Sequence, residues 1–276
     1  MKGAGLEKRD AVFPRKEERK KMEYILSLSY GKDSLACLGA IEELGWTLNR
    51  IVHAEVWATD TIPADPPPMV EFKAKADAII KARWGIEVEH IRSKQTAESI
   101  FYHKRLRGNR IGQIAGWPMI QGCELQKPLK VTPLHRIGSG VTYIGIAADE
   151  PNRFHVLTDV KKSPLVEAGW SEQKCLEWCE INDLLSPIYT MATRSGCWFC
   201  PCQGTDQLRI LRKKYPEYWV LMLKWDEDSP VPFKANGHTV HDYDRRFQAE
   251  DLKLISPDDK VFRWKTLDEE LNFRLF

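Results

Sequence analysis

The strongest constraint on this chain is a change of hydrophobic period between residues 24 and 45. An apolar run, Tyr24-Ile25-Leu26-Ser27-Leu28, reads as a short buried strand and stops at Ser29-Tyr30-Gly31-Lys32-Asp33-Ser34. Leu35, Leu38, Ile41 and Leu44 then recur at helical spacing, with Gly45 as a C-terminal stop. A second strand is expected from Ile51 to Trp57. Strand, tight loop, helix and strand in that order close most simply as a parallel pair, because the intervening helix carries the chain back across the sheet. The expected fold is therefore α/β, a doubly wound and mostly parallel sheet.

Further along, Thr59–Pro68 with its Pro66-Pro67-Pro68 run is expected to be neither helix nor central strand. Met69–Trp84 reads as a helix with Val70, Ala74, Ala78 and Ile79 inward, and Glu87–Ile91 as the third strand. Between Lys104 and Arg136 the pattern dissolves into Gly, Pro and basic residues, a length more typical of a functional loop region than of a linker. Strand character returns at Val141–Ala147, ending in Asp149-Glu150-Pro151-Asn152-Arg153. Ligands gather beyond the carboxyl ends of parallel strands, so this segment and Ser29–Ser34 point to one crevice. Helices are expected from Ser171 to Asp183, over Gln207–Lys214 and over Pro216–Trp225, followed by a polar, irregular tail. The organisation read from these features is a basic arm over 1–23, an α/β domain over 24–192, and a smaller cysteine-containing helical region over 193–276.

Of the 276 residues, 43% are hydrophobic and 29% charged, a globular composition. No uncharged apolar stretch nears the roughly 20 residues of a membrane span, and the first residues have no apolar core of a signal peptide. A cytoplasmic protein with no membrane partner is expected. A net charge of +2 does not by itself argue for nucleic acid. The arm is more basic, with eight Lys/Arg against five Asp/Glu. Seven cysteines, an odd number clustered late in the chain, favour thiol or metal chemistry over a disulfide framework.

The Ser29–Ser34 loop has what a nucleotide phosphate needs. Gly31 permits close backbone approach, Ser29 and Ser34 offer hydroxyls, Lys32 offers a point charge, and the following helix offers free amides and a positive dipole end. Neither G-x-x-x-x-G-K-[ST] nor G-x-G-x-x-G occurs in the chain. An ordinary glycine turn with Ser34 as N-cap would show the same residues. Cys197-x-x-Cys200-x-Cys202 is dense enough to hold a metal, whether zinc or an iron–sulfur cluster. Cys37, Cys175 and Cys179 read as core, and His238 and His241 as solvent-exposed.

Tyr24–Ala36, YILSLSYGKDSLA, resembles the S-[GFY]-G-K-D-S signature of the PP-loop, or N-type ATP pyrophosphatase, superfamily, and within it the phosphoadenosine-phosphosulfate reductase-like branch. The likeness continues in order. Gly122-Cys123-Glu124-Leu125-Gln126-Lys127 is similar to the branch's cysteine-x-x-x-lysine segment, Gly145–Arg153 to its G-[IV]-x-x-D-E-x-x-R motif, and Gly196-Cys197-Trp198-Phe199-Cys200-Pro201 to its G-C-x-x-C-P. The chain departs from the sulfonucleotide reductases in two places. It has no cysteine after Cys202 to match their Cys-Gly-x-His segment, and Thr59-Asp60-Thr61 stands where they have D-T-G.

The resemblance implies an adenine nucleotide alpha hydrolase-like sheet that binds ATP and cleaves it to AMP and pyrophosphate. In that reading Ser29, Tyr30, Gly31, Lys32, Asp33 and Ser34 cradle phosphate, with Lys32, Asp33 and Arg153 catalytic and Asp33 holding Mg²⁺ or its waters. Lys127, Asp149, Glu150 and Arg153 complete the nucleotide site, with Arg105, Arg107 and Arg110 as further anion contacts. Cys123 joins Cys197, Cys200 and Cys202 as ligands of a 4Fe–4S cluster, with zinc as the alternative. The implied function is adenylyl transfer that activates an acceptor for sulfur or nitrogen transfer, with a sulfur-donor protein and a nucleic-acid acceptor among the partners. The alternatives are a sulfonucleotide reductase and a non-catalytic nucleotide- or nucleic-acid-binding module.

Overall fold

The computed structural model describes residues 22–118, 122–191, 196–258, 262–265 and 267. The basic arm up to residue 21, the 192/193 boundary and Ser195 lie outside them. Five parallel strands form one sheet in the order β3-β2-β1-β4-β5: β1 Glu23–Ser27, β2 Arg50–Glu55, β3 Val88–Arg92, β4 Gly140–Tyr143 and the two-residue β5 Lys161–Lys162. Leu26 pairs with Ile51 on one side and with Tyr143 on the other, so β1 is central. The strand order reverses between β1 and β4, which opens a crevice at their carboxyl ends.

Helices cover the sheet. The longer ones are α1 Lys32–Leu44, α2 Pro67–Trp84, α6 Glu172–Ile181, α8 Thr205–Lys214, α9 Pro216–Asp228 and α10 Val240–Asp251. The short ones are α3 Ala97–Phe101, α4 Thr132–Leu134, α5 Pro164–Glu167 and α7 Ile188–Met191. Among the described residues no helix is long and apolar enough to cross a membrane.

Three local expectations are corrected. Pro67 and Pro68 are not loop but the first turn of α2, where a missing N–H costs nothing because no partner exists for it. The inward face of α2 is Met69, Phe72, Ala76 and Ile80, while Val70, Ala74 and Ala78 are exposed. The tail is not irregular throughout, because α10 buries Val240, Tyr243 and Phe247 at helical spacing.

Two cores result. The first packs aliphatic side chains of β1, β2, α1 and α2 with Cys37, Cys175 and Cys179, as expected for these thiols. The second is aromatic: Phe101, Trp117, Trp198, Phe199, Trp219, Trp225, Phe233 and Phe247 gather from α3, loops and the C-terminal helices.

Candidate functional site

The loop after β1 is held from several sides. The Ser29 amide donates to Ser34 Oγ at 3.1 Å, the two hydroxyls lie 2.9 Å apart, and Ser34 Oγ donates to the Gly31 carbonyl at 3.0 Å. The left-handed residue is Tyr30 (φ 58°), whereas Gly31 is extended at φ −77°. A bulky residue at positive φ is sterically costly. Tyr30 is kept there by its side chain: the hydroxyl donates to Asp77 and lies 3.3 Å from His90 Nε2, and the ring meets His53 edge-on at 4.8 Å. Gly31 therefore contributes open space, since a Cβ there would only touch Ser29 Oγ and the Tyr189 hydroxyl at 3.5 Å.

The loop also fits closely against β4. A Cβ on Gly145 would lie 2.6 Å from the Ser34 nitrogen and 2.7 Å from the Asp33 carbonyl carbon, both backbone atoms. Only glycine admits this approach, which ties the end of β4 to the start of α1.

Charged groups converge at that point. Lys32 Nζ lies 2.6 Å from Asp33 and 3.1 Å from Glu172. Oxygens of Asp33, Glu150 and Glu172 lie within 4.8 Å of one another. Glu150 also accepts from Arg153 at 2.7 Å and from the Ala147 amide at 3.2 Å, while Asp149 accepts the Glu172 amide at 3.0 Å. Arg153 thus stands on the same edge as Lys32, joined through Glu150 and Asp33. Burial pushes the Asp33 carboxyl above its usual range, and Glu172 and Glu150 add to this against the pull of Lys32. Burial by itself would lower the Lys32 pKa, but Asp33 and Glu172 outweigh it and hold the ammonium above its ordinary value.

Beside the loop lies a cavity of about 280 Å³, bordered by Ser29, His53, Asp65, Lys73, Lys130 and Cys197. Its size falls near the lower end of the roughly 300–1,000 Å³ common for small-molecule sites. His53 Nδ1 donates to the Leu28 carbonyl at 2.8 Å, which leaves Nε2 to accept from Lys73 Nζ at 2.9 Å. Lys73 is also paired with Asp65 at 2.6 Å. Burial, with Lys73 adding, pushes the His53 pKa down to about 3, so the ring is neutral. Lys127 is exposed and does not border the cavity; Lys130, three residues on in the same π-helical turn Lys127–Val131, does.

The cysteine loop docks on the segment after β2. The Trp198 amide donates to Ala64 at 2.9 Å and its indole donates to Pro63 at 2.8 Å. Gln203 Nε2 donates to the carbonyls of Cys197 and Trp198, and Lys234 Nζ to those of Pro201 and Gln203. Burial pushes the Cys197 thiol up to about 12; Lys130 opposes this, while Cys200, Asp65 and Cys123 add to it. Cys123 and Cys202 are exposed, Cys197 and Cys200 half-buried, and none of the seven cysteines is in a disulfide. Among the described residues no three of these sulfurs lie within 4.8 Å of one another. Four zinc–sulfur bonds of ~2.3 Å would hold the sulfurs about 3.8 Å apart, so this arrangement is not a ready-made zinc site.

His238 and His241 are not simply solvated. Each is half-buried against a carboxylate, His238 3.5 Å from Asp242 and His241 2.9 Å from Asp226. Sequence reasoning also missed Glu172, Tyr189, His53, Lys73 and Lys130. Glu172 had a visible signal, the Ser171 cap with an acid in the first helical turn. Tyr189 had none: its hydroxyl accepts the Lys32 amide at 3.0 Å across 157 residues of chain.

No protein-family model matches the chain, and no curated protein matches it.

Proposed function

We propose that this chain is an ATP-dependent adenylyl-transfer enzyme of the PP-loop, phosphoadenosine-phosphosulfate reductase-like kind. The observation that carries this reading is the meeting of the Ser29–Ser34 loop, Lys32, three carboxylates and Arg153 at the edge between β1 and β4, beside a cavity bordered by Cys197. The amides at the start of α1 and the Lys32 ammonium suit the β- and γ-phosphates. Asp33, Glu150 and Glu172 offer the oxygen donors that Mg²⁺ prefers, and a bound ion would neutralise pyrophosphate as it leaves.

In the step proposed, an acceptor oxygen attacks the α-phosphorus and forms a new P–O bond. The bond from the α-phosphorus to the bridging oxygen breaks, and pyrophosphate leaves with its electron pair. The acceptor's proton passes to solvent, and the product is an adenylated acceptor. Lys32 supplies charge where negative charge develops, which is the kind of contribution that raises the rate of the chemical step. Arg153, half exposed and already oriented by Glu150, can turn to the nucleotide from the same edge as Lys32.

Cys123, Cys197, Cys200 and Cys202 would be the thiolate ligands of an iron–sulfur cluster, with zinc as the alternative. Such a cluster would supply a soft site for a sulfur atom delivered by a donor thiol or persulfide.

Lys32→Ala is expected to reduce pyrophosphate release from ATP by a factor on the order of a hundred or more with the fold intact, because it removes transition-state charge and no core. Ser34→Ala should act in the same direction. If both variants release pyrophosphate like the parent, the loop is only a turn and the proposal fails.

A further inference from the structure

The Ser29–Ser34 loop spends its own hydroxyl hydrogens before any phosphate arrives. A serine or tyrosine hydroxyl has one hydrogen to donate and lone pairs with which to accept. Ser34 Oγ donates to the Gly31 carbonyl at 3.0 Å. With that hydrogen used, the 2.9 Å contact between the two serines is made by the hydrogen of Ser29. The Tyr30 hydroxyl donates to Asp77 on α2. These hydroxyls therefore shape the loop, and none keeps a hydrogen for an incoming anion.

A fourth hydroxyl reaches the loop from far along the chain. Tyr189, in the short helix α7, accepts the Lys32 amide at 3.0 Å. It stands over Gly31 beside Ser29, since a Cβ on Gly31 would lie 3.5 Å from both hydroxyl oxygens. The bond from Lys32 uses a lone pair and not the hydrogen, and among the described residues no group accepts that hydrogen. Burial above all pushes the Tyr189 pKa up, against the pull of the Lys32 amide, so the hydroxyl keeps its proton. An oxygen that already accepts an amide is also the stronger donor, because hydrogen bonds in a chain polarise one another.

The residues around Tyr189 hold this hydroxyl in place. Ser186 is 1% exposed; its hydroxyl donates to the Met69 sulfur at 2.8 Å and accepts the Ile188 amide at 3.3 Å. Ile188 is buried in the sheet core and borders the cavity beside Ser29. The Tyr189 amide donates to the Ser186 carbonyl at 3.2 Å, and the ring packs against the same core. A side chain fixed in this way has little rotamer freedom left to lose on binding.

We infer that Tyr189 is a phosphate-binding residue: its hydroxyl, held by the Lys32 amide, donates to an oxygen of the pyrophosphate half of the nucleotide, while Ser29 and Ser34 position the loop. This deepens the adenylyl-transfer reading and rests on it in taking the loop as a phosphate site. A plug that occupies the Lys32 amide and must leave before phosphate binds would make the same contact, and the test separates the two.

The test uses the full chain with Mg²⁺ and inorganic pyrophosphate as the probe, with affinity read by calorimetry. Tyr189→Phe keeps the ring on the core and removes only the hydroxyl, so the variant folds. It is expected to weaken pyrophosphate binding about tenfold or more, the scale of one hydrogen bond to a charged group. Ser29→Ala removes a hydroxyl whose hydrogen is already spent and should weaken binding less. Binding by Tyr189→Phe as tight as the parent's makes the hydroxyl a mere anchor, and tighter binding makes it a plug; either result overturns the inference. A larger loss in Ser29→Ala than in Tyr189→Phe, or a parent that binds no pyrophosphate, overturns it as well. Release of pyrophosphate from ATP is assayed separately. A parent that binds pyrophosphate through Tyr189 but releases none from ATP sinks only the enzyme reading, and release by a parent whose pyrophosphate affinity Tyr189→Phe leaves untouched sinks only this one.

Discussion

The two cores of this protein are built on different principles. Around the sheet, Leu26, Ile51, Leu35, Leu38 and Ile80 come from regular elements whose spacing dictates which face is buried. The aromatic core is drawn only in part from regular elements: Trp219, Trp225 and Phe247 stand on α9 and α10, but Phe101 ends a one-turn helix, Trp117 and Phe233 sit in irregular segments, and Trp198 and Phe199 sit between the cysteines. Large rings reach across gaps that aliphatic side chains cannot fill, so they can gather loops as well as helices. The difference has a functional reading. The sheet core fixes the Ser29–Ser34 loop through backbone register, whereas the aromatic core fixes the cysteine loop and the segment between Phe101 and Trp117 through side chains.

Trp225→Ala would strain that contrast most. Trp225 is 1% exposed and contacts Phe101, Trp198 and Phe199, so its loss should cost about 3–5 kcal/mol. Urea unfolding followed by tryptophan fluorescence and by far-ultraviolet circular dichroism should then separate, with the aromatic region melting first. Coincident transitions would mean that the two cores are one cooperative unit. Gly145→Ala strikes the other half, forcing a Cβ against the Asp33 and Ser34 backbone. A loss of about 1–3 kcal/mol is expected, together with a fall in pyrophosphate release, while hydrogen exchange in α8–α10 stays unchanged.

Trp198→Phe is gentler. It keeps a ring in the aromatic core but removes the indole hydrogen bond to Pro63, at a cost of about 1 kcal/mol. Faster amide exchange at residues 63–64 and 198 with an unaltered sheet would confirm that this bond docks the cysteine loop on the loop after β2.

The smallest effect should come from two imidazoles 5.5 Å apart that titrate in opposite senses. His90 lies 2.9 Å from both Asp77 and Glu55, with Tyr30 and His53 also facing it. Its hydrogen bond to Asp77, reinforced by Glu55 against burial, raises its pKa. Its contribution to stability is therefore complete below the ordinary imidazole value of about 6.5 and is lost as pH rises through its higher folded value. His53, pushed down to about 3 by burial, contributes above about 6.5, and that contribution is lost as pH falls. His90→Gln should therefore flatten the alkaline side of a melting-temperature profile and leave the acid side unchanged. Solvent screening of this partly exposed site limits the shift to about 2 °C or less. An unchanged alkaline limb would show that His90 does not support the Tyr30 turn through its charge.

The sequence by itself determined the parallel core and the edge on which a site can lie. A strand that breaks into Ser29–Ser34 and resumes as a helix records its crossover in local spacing, and the central position of β1 with Asp149–Arg153 beside it follows from that topology. The spacing of Cys197, Cys200 and Cys202 was equally local. The register of α2 and the existence of α10 were also written locally but misread, because the proline run masked the first and the surrounding polar residues masked the second. Tertiary structure alone decided which groups face Lys32, since Glu172 lies 140 residues away and Tyr189 157. It also decided that Tyr30 and not Gly31 takes the left-handed turn, because the compensating partners Asp77, His90 and His53 come from α2, β3 and β2. Periodicity reports which face of an element is buried; it carries no record of which distant element that face will meet.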